Sequence, residues 1–471
     1  MKTLAAYSLL ILTLLAFGVF AQDSTTLKGD WIGLLDAGAA KLKLILHFTA
    51  NEDGTWRGTM DSPDQAANGL KIDVITVEGQ TLKFVMHIIG ASYEGRLNGG
   101  DITGKFTQGG MTFPLNFKRA TAANTAPPKR PQTPQPPYPY NEEEVTFDNP
   151  SANVKLAGTL TTPRTKGPFP AVVLITGSGP QDRNESLLGH QPFLVLSDHL
   201  TRAGIAVLRF DDRGVGKSTG KFGPATSADF ATDVLAAIAY LKTRPEINKQ
   251  KMGLVGHSEG GMIAPMCAVQ SKDVAFIVMM AGPGVPGDEI LHEQTALLMR
   301  AEGMPETLIS ENHKNQEKMF AIVKTEQDAA VAEKKLLEIV AAAVAAAPAP
   351  QKKTVEATLT NQIKSYNSPW FRYFLTFDPR STLRQVKVPV LALNGELDLQ
   401  VPPKQNLPEI AKALKDAGNK NVQIVELPKL NHLFQTTQTG AFSEYAKIEE
   451  TISPAALTLM SDWIVKVVGD R

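Results

Sequence analysis

Ser258 lies in the pentapeptide Gly256-His257-Ser258-Glu259-Gly260, between an apolar run at 251–255 and a second apolar stretch at 261–269. Gly-x-Ser-x-Gly at a strand-to-helix junction is the pattern of a nucleophile elbow, a sharp turn that lifts the hydroxyl clear of a sheet. The small residues at 256 and 260 let backbone approach where a side chain would clash. A serine hydroxyl is a weak nucleophile until a base takes its proton and donors stabilise the oxyanion that forms. Five residues recur by chance, so the remainder of the chain has to supply those partners.

The base follows by elimination. Where a serine nucleophile stands on such a sheet, the acid and then the histidine follow it along the chain. Of the eight histidines, only His432 lies beyond the last strand-like runs, and the next one back is His313 in a helix-like stretch. His432 sits in Leu430-Asn431-His432-Leu433-Phe434, just after the run 422–427. The acid should likewise follow the preceding strand, at 388–393, which leads into Asn394-Gly395-Glu396-Leu397-Asp398. Asp398 is preferred, to hold the imidazole tautomer and stabilise the imidazolium. Glu396 is the competitor, read instead as solvated. Asp378 and Asp416 read as helix-end or loop residues. For the oxyanion, one N–H should come from Glu259 at the start of the following helix, where the dipole adds positive charge. The other should come from the loop after the run 171–175, with Ser178 the first choice and Gly179 the next.

The elements that must position these groups are legible as a change of pattern along the chain. Residues from about 27 to 118 carry short alternating runs at 42–48, 55–59, 71–77, 82–87, 92–97, 101–106 and 113–117. Turn signals separate them, which predicts a small all-β barrel or sandwich of seven or eight strands. His47 and His87 are lone strand histidines and read as structural. From 120 to 141 the chain is proline-rich, a semi-rigid spacer. From 142 on, an antiparallel pair at 145–147 and 155–160 precedes buried-type runs at 171–175, 205–210, 252–255, 275–280, 388–393 and 422–427. Helical stretches at 193–203, 228–242 and 407–417 alternate with them, which predicts an α/β fold with a mostly parallel sheet covered on both faces. The alternation stops between about 285 and 377, read as a helical cap broken at Pro348-Ala349-Pro350. Met299, Trp370 and Phe371 there are either acyl-pocket wall or cap core.

Composition bounds the function. At 471 residues, with 43% hydrophobic and 20% charged residues, the chain holds more than one globular domain. Lys+Arg and Asp+Glu are both 48, so no charge imbalance points toward nucleic acid. No metal-ligand signature is present, and no cofactor is expected. Lys2 and the apolar run 4–20, closed by Val19-Phe20-Ala21, read as a signal peptide over 1–21, giving an exported, periplasmic or secreted protein. An uncleaved anchor is the alternative, and no other membrane span is expected. The single cysteine, Cys267, reads as a buried small hydrophobe. The stretch Gly214-Val215-Gly216-Lys217-Ser218 imitates a phosphate-binding loop, but Asp211 stands where that pattern needs glycine. Asp212 and Arg213 are read there as a loop-bracing salt bridge. Pro265 falls inside the helix expected after Ser258.

With these residues placed, the region 142–471 resembles the α/β-hydrolase superfamily. More narrowly it is similar to bacterial serine esterases of the dienelactone-hydrolase and acyl-peptidase-like branch. The resemblance rests on Thr176-Gly177-Ser178-Gly179-Pro180-Gln181-Asp182-Arg183, on the stretch from Phe210 to Ser218, on the pentapeptide around Ser258, and on Asn394-Gly395-Glu396-Leu397-Asp398. Where a His-Gly pair often introduces the oxyanion loop in that superfamily, this chain has Thr176-Gly177. The resemblance implies hydrolysis of a small-molecule carboxylic ester without metal or cofactor. A peptidase or amidase on the same scaffold is the alternative enzyme. An envelope- or carbohydrate-binding protein with an inactive domain is the alternative of another class. The sequence leaves a homodimer open.

Overall fold

The computed structural model describes residues 27–36, 41–63, 67–108, 111–121, 129–346 and 352–469. Residues 1–21, read as a signal peptide, Pro127, Pro128 and residues 348–350, read as a break in the cap, lie outside the described residues.

Among the described residues, nine antiparallel strands come first: β1 (Gly29–Asp36), β2 (Lys41–Ala50), β3 (Trp56–Ser62), β4 (Ala67–Ile72), β5 (Val74–Glu78), β6 (Thr81–Met86), β7 (Ala91–Asn98), β8 (Asp101–Gln108) and β9 (Met111–Arg119). Their order, β4-β3-β2-β1-β9-β8-β7-β6-β5, puts the two edge strands on either side of Asp73, so the sheet curls into a nearly closed barrel. Alternate residues point inward, and Trp31, Leu46, Phe84, Phe106 and Phe117 are buried. The run 71–77, read as one strand, is two. Asp73 donates its N–H to Val85 O at 2.8 Å and accepts His87 N–H at 2.7 Å, so pairing with β3 stops and pairing with β6 begins. β1 was missed because Gly33 takes an inward position where an apolar side chain would have marked the period.

Residues 129–140 were read as spacer, but their side chains are fastened to the next domain. Arg130 donates to the carbonyls of Leu188, Ala446 and Ile448 at 2.9, 2.9 and 2.8 Å. Gln132 exchanges hydrogen bonds with the backbone of Thr451 and Ile452.

The second sheet has eight strands: β10 (Asn141–Asn149), β11 (Val154–Thr162), β12 (Phe169–Ile175), β13 (Ala206–Phe210), β14 (Ile247–His257), β15 (Phe276–Met280), β16 (Val390–Gly395) and β17 (Val422–Leu427). The order is β10-β11-β13-β12-β14-β15-β16-β17. β10 and β11 are antiparallel, and from β13 to β17 neighbours run parallel. The helices around it are α1 (Pro192–Arg202), α2 (Ser227–Thr243) and α3 (Glu259–Gln270). A helical layer follows: α4 (Gly287–Ala301), α5 (Glu306–Thr325), α6 (Ala329–Ala346), α7 (Lys352–Tyr366) and α8 (Pro369–Thr376). Then come α9 (Pro379–Leu383), α10 (Pro403–Asp416), α11 (Phe442–Tyr445) and α12 (Pro454–Gly469). Among the described residues no helix is long and apolar enough to cross a membrane.

Alternation along β12 explains the two covered faces. Ala171, Val173 and Ile175 pack with α2, α3 and α10, whereas Val172 and Leu174 pack with Phe193 and Leu196 of α1 and Met460 and Ile464 of α12. Burying one such aliphatic side chain contributes about 1.5–3 kcal/mol, so an apolar strand is stable only when both faces are covered. Cys267 is fully buried in the first of these cores.

The loop after β13 differs from expectation in its pairing. Arg213 Nε meets Asp233 Oδ2 at 2.7 Å, so the bridge to Asp212 does not form. Asp211 instead takes Arg183, at 2.8 Å, and accepts Lys217 N–H. Ser218 Oγ donates to Asp211 O and accepts Ala157 N–H, which stitches β13 to β11. The phosphate-loop look-alike is therefore consumed by the scaffold.

Candidate active site

β14 delivers Ser258 to the carboxyl edge of the sheet and α3 carries the chain away. At this junction Ser258 has φ 53° and ψ −116°, a conformation that costs a non-glycine residue of order 1–3 kcal/mol. Two backbone bonds hold it: Ser258 N–H to Met280 O at 2.8 Å, and Gly261 N–H to Ser258 O at 2.9 Å. The flanking glycines are required by space. A Cβ at 256 would stand 2.0 Å from Gly260 O, and one at 260 would stand 2.2 Å from Ile175 O. The pentapeptide thus builds an elbow because only these residues let β14, α3 and β12 meet.

β16 and β17 carry the other two groups. Asp398, in the turn beyond β16, is 1% exposed, and its Oδ2 lies 2.8 Å from Nδ1 of His432, in the loop beyond β17. Asp398 Oδ1 accepts the N–H groups of Gln400 and Val401 at 2.8 and 2.9 Å, which fixes the carboxylate's rotation. Asn394 Nδ2 reaches Oδ2 at 3.2 Å. With a carboxylate acceptor at Nδ1, the proton is assigned to that nitrogen, leaving Nε2 as the basic lone pair. Glu396 is exposed and accepts only the N–H of Lys429. Asp378 caps α9 and Asp416 ends α10, away from this pair.

The loop carrying His432 is tied to the elbow through His257. Its Nε2 lies 3.0 Å from His432 O, and the two imidazole centroids are 4.8 Å apart. Sequence reasoning passed over the groups that hold this loop. Asn431 Oδ1 accepts the N–H groups of Leu433 and Gln435, and Gln435 donates to Glu450 O. Both side chains are fully buried. An Asn two and four residues before the backbone N–H groups it accepts is the one signal that could have found this turn.

The loop after β12 approaches Ser258 from the other side. A Cβ placed on Gly177 would lie 3.3 Å from Ser258 Cβ. Gly177 N–H is committed to Glu185 Oε1 at 2.8 Å, so Ser178, which is exposed, supplies the next N–H of that loop. Glu259 opens α3, and its N–H is among those a helix leaves without an intrahelical acceptor. Pro265 sits inside α3 and removes one ladder donor; the structure assigns it no further role.

The Glu259 side chain points inward. Its Oε1 accepts Ser227 Oγ at 2.6 Å and Trp370 Nε1 of α8 at 2.8 Å. Burial raises the pKa of this carboxyl. Asp212, which borders the same ≈ 20 Å³ cavity, is pushed up to about 8 by burial. Burial thus disfavours the charged form of both carboxyls beside the elbow. Trp370 therefore ties the helical layer to the elbow, Phe371 belongs to that layer's own core, and Met299 is half-buried on α4.

Asp212 has a measurable consequence for stability. Its folded value lies above the unfolded one, so the protonated group favours folding at acidic pH, and this contribution is lost as pH rises through about 8. Asp212→Asn cannot ionise. Its urea midpoint should fall less between about pH 6 and about pH 9 than that of the parent protein. Equal falls would show that Asp212 is not responsible.

The family described as X-Pro dipeptidyl-peptidase (S15 family) matches residues 152–432. Esterase EstD of Thermotoga maritima is 27% identical over 362 residues, covering 76% of this chain and 74% of that protein. Among solved structures, the Pyrococcus furiosus esterase Pf2001 aligns at 16% identity over 72% of this chain and 98% of its own, with a TM-score of 0.42. The α/β hydrolase GrgF of Penicillium sp. sh18 aligns at 14% identity over 70% of this chain and 99% of its own, with a TM-score of 0.43. The S15 match spans more than half of the chain, from the start of β11 to His432. The protein is a hydrolase with an α/β-hydrolase domain, and the chain belongs to the X-Pro dipeptidyl-peptidase (S15) family.

Proposed function

We propose that the protein is a serine carboxylesterase acting on short- to medium-chain esters through Ser258, His432 and Asp398. The observation that carries this reading is the buried Asp398–His432 pair at 2.8 Å, whose loop is tethered by His257 to the strained elbow bearing Ser258. The esterase relative supports the choice of ester over amide.

In the first step His432 Nε2 takes the Ser258 proton while Oγ bonds to the ester carbon. The carbonyl oxygen becomes an oxyanion held by the N–H groups of Glu259 and Ser178. Collapse breaks the bond to the alkoxy oxygen, which leaves as alcohol with the proton from Nε2. Water then adds to the acyl carbon, giving its proton to Nε2, and the acid departs as Ser258 Oγ recovers that proton. The Asp398 carboxylate stabilises the imidazolium in both halves. α4 to α8 form the wall over the acyl side, with Trp370 as its contact to the elbow.

A peptidase reading is favoured by the family match itself. The purified protein should turn over p-nitrophenyl acyl esters with higher kcat/KM than X-Pro p-nitroanilides. Turnover confined to the anilides would replace the esterase reading with the peptidase one. Export is part of the same proposal: the mature protein should begin at Gln22.

A further inference from the structure

His257 and Glu185 are buried, titratable and unused by the mechanism above. Each side chain is 7% exposed. His257 Nδ1 lies 2.9 Å from Glu185 Oε1, and its Nε2 lies 3.0 Å from the carbonyl of His432. A carboxylate and a carbonyl only accept, so satisfying both contacts requires a proton on each ring nitrogen. The alternative, a neutral ring beside a protonated Glu185, would place the shared proton on the group of lower ordinary pKa. Both contacts are satisfied together when the ring is an imidazolium with the Glu185 carboxylate beside it.

The same carboxylate oxygen also accepts Gly177 N–H at 2.8 Å. One ion pair consequently touches three segments. Gly177 immediately precedes Ser178, His257 immediately precedes Ser258, and the His432 carbonyl belongs to the base itself. Glu185 holds φ 52°, a left-handed conformation unfavourable for a residue with a side chain, as expected of a group whose place is fixed by its partners.

We propose that Glu185 and His257 form a buried carboxylate–imidazolium bracket that sets the oxyanion loop and the base loop around Ser258. Both are positioning residues for the hydrolytic reaction, an assignment that rests on the Ser258–His432 reading. Burial alone would lower the pKa of His257, but the charge and hydrogen bond of Glu185, the His432 carbonyl and the charge of Asp398 outweigh it and raise it. The groups facing the bracket are Asp398 and the His432 ring on the base side. Asp212, which Glu185 influences, faces it on the oxyanion side.

The bracket is lost when His257 gives up a proton, so activity should fall at alkaline pH. Glu185→Gln keeps the shape and an acceptor for Gly177 N–H but removes the charge. His257 then becomes neutral at lower pH and can serve only one of its two acceptors. The expected result is a fall in kcat of about 10–100-fold, from displacement of reacting groups by a fraction of an ångström. KM should stay within about two-fold, and the alkaline limb of the kcat profile should move to lower pH. A purely structural role would lower stability without moving that limb.

An assay independent of catalysis reads the same bracket. In 15N-histidine-labelled protein at about pH 8, His257, assigned by its absence in His257→Gln, should show two protonated ring nitrogens. If Glu185→Gln fails to fold, this spectrum of the unmodified protein still decides the matter. One bare ring nitrogen on His257, or an unchanged kcat and pH profile in Glu185→Gln, overturns the bracket. Retained turnover in Ser258→Ala would instead overturn the functional reading, while leaving the spectrum as the test of the ion pair.

Discussion

His432→Ala should lower kcat by about 10⁴–10⁶-fold while the protein stays folded. The basis is that the His432 imidazole pairs with the Asp398 carboxylate, at 2.8 Å, and its Nε2 is the base that the mechanism assigns to Ser258. Removing the ring leaves binding and the oxyanion donors, which account for a residual rate above that in water. The loop should survive, because Asn431 and Gln435 hold its backbone through hydrogen bonds that do not involve the imidazole. The His432 carbonyl, which receives His257, is retained in alanine. Steady-state kinetics beside circular dichroism and a urea midpoint check this. Turnover within ten-fold of the parent would assign the base elsewhere.

Asp398→Asn should cost about 10⁴-fold in kcat, for a reason specific to the turn after β16. Two backbone N–H groups, from Gln400 and Val401, point at Oδ1, so an asparagine must place its carbonyl oxygen there. Its NH₂ then faces His432 Nδ1. The ring can satisfy that donor only by accepting at Nδ1, which moves its proton to Nε2, where a base needs a lone pair. The side chain of Asn394 also donates toward the same position, at 3.2 Å, and would oppose the new NH₂. Activity should fall with KM little changed. A loss carried by KM instead would mean that Asp398 acts in binding.

The distribution of these effects reflects what a sequence can carry. The parallel sheet was legible because strands buried on both faces read as unbroken apolar runs, as in β12, β15 and β16. By contrast, β14 begins earlier than its apolar run, through the polar residues 248–251, and β17 at the sheet edge is only partly buried. Asp398 and His432 were legible because loops at the carboxyl edge are short and follow identifiable strands. Glu185 was not, because it lies in an irregular loop and meets His257 across 72 positions of chain. His257 was in plain view inside the pentapeptide, but a residue's partner is a fact of tertiary structure. The Asp212 pairing failed for a related reason: adjacency in sequence suggested Arg213, whereas the chain turns Arg213 toward α2 and Asp212 toward Thr176. In the barrel, the division at Asp73 was hidden because apolar alternation continues across the bend.

The helical layer α4 to α8 has a core of its own, formed by Phe320, Leu336, Ile363, Phe371 and Leu375. Its contact with the elbow through Trp370 and Glu259 makes the position of that layer part of the site's geometry. Specificity for acyl length is therefore expected to respond to changes in α8 sooner than to changes in the barrel.

The central claim is that Ser258 is a nucleophile activated by His432. Reaction of the folded protein with a fluorophosphonate, followed by peptide mass spectrometry, tests it most directly. The account predicts a single adduct on the peptide containing Ser258, stoichiometric with loss of activity, absent in Ser258→Ala and slowed in His432→Ala. An adduct on another residue, or full turnover by the Ser258→Ala protein, would contradict it.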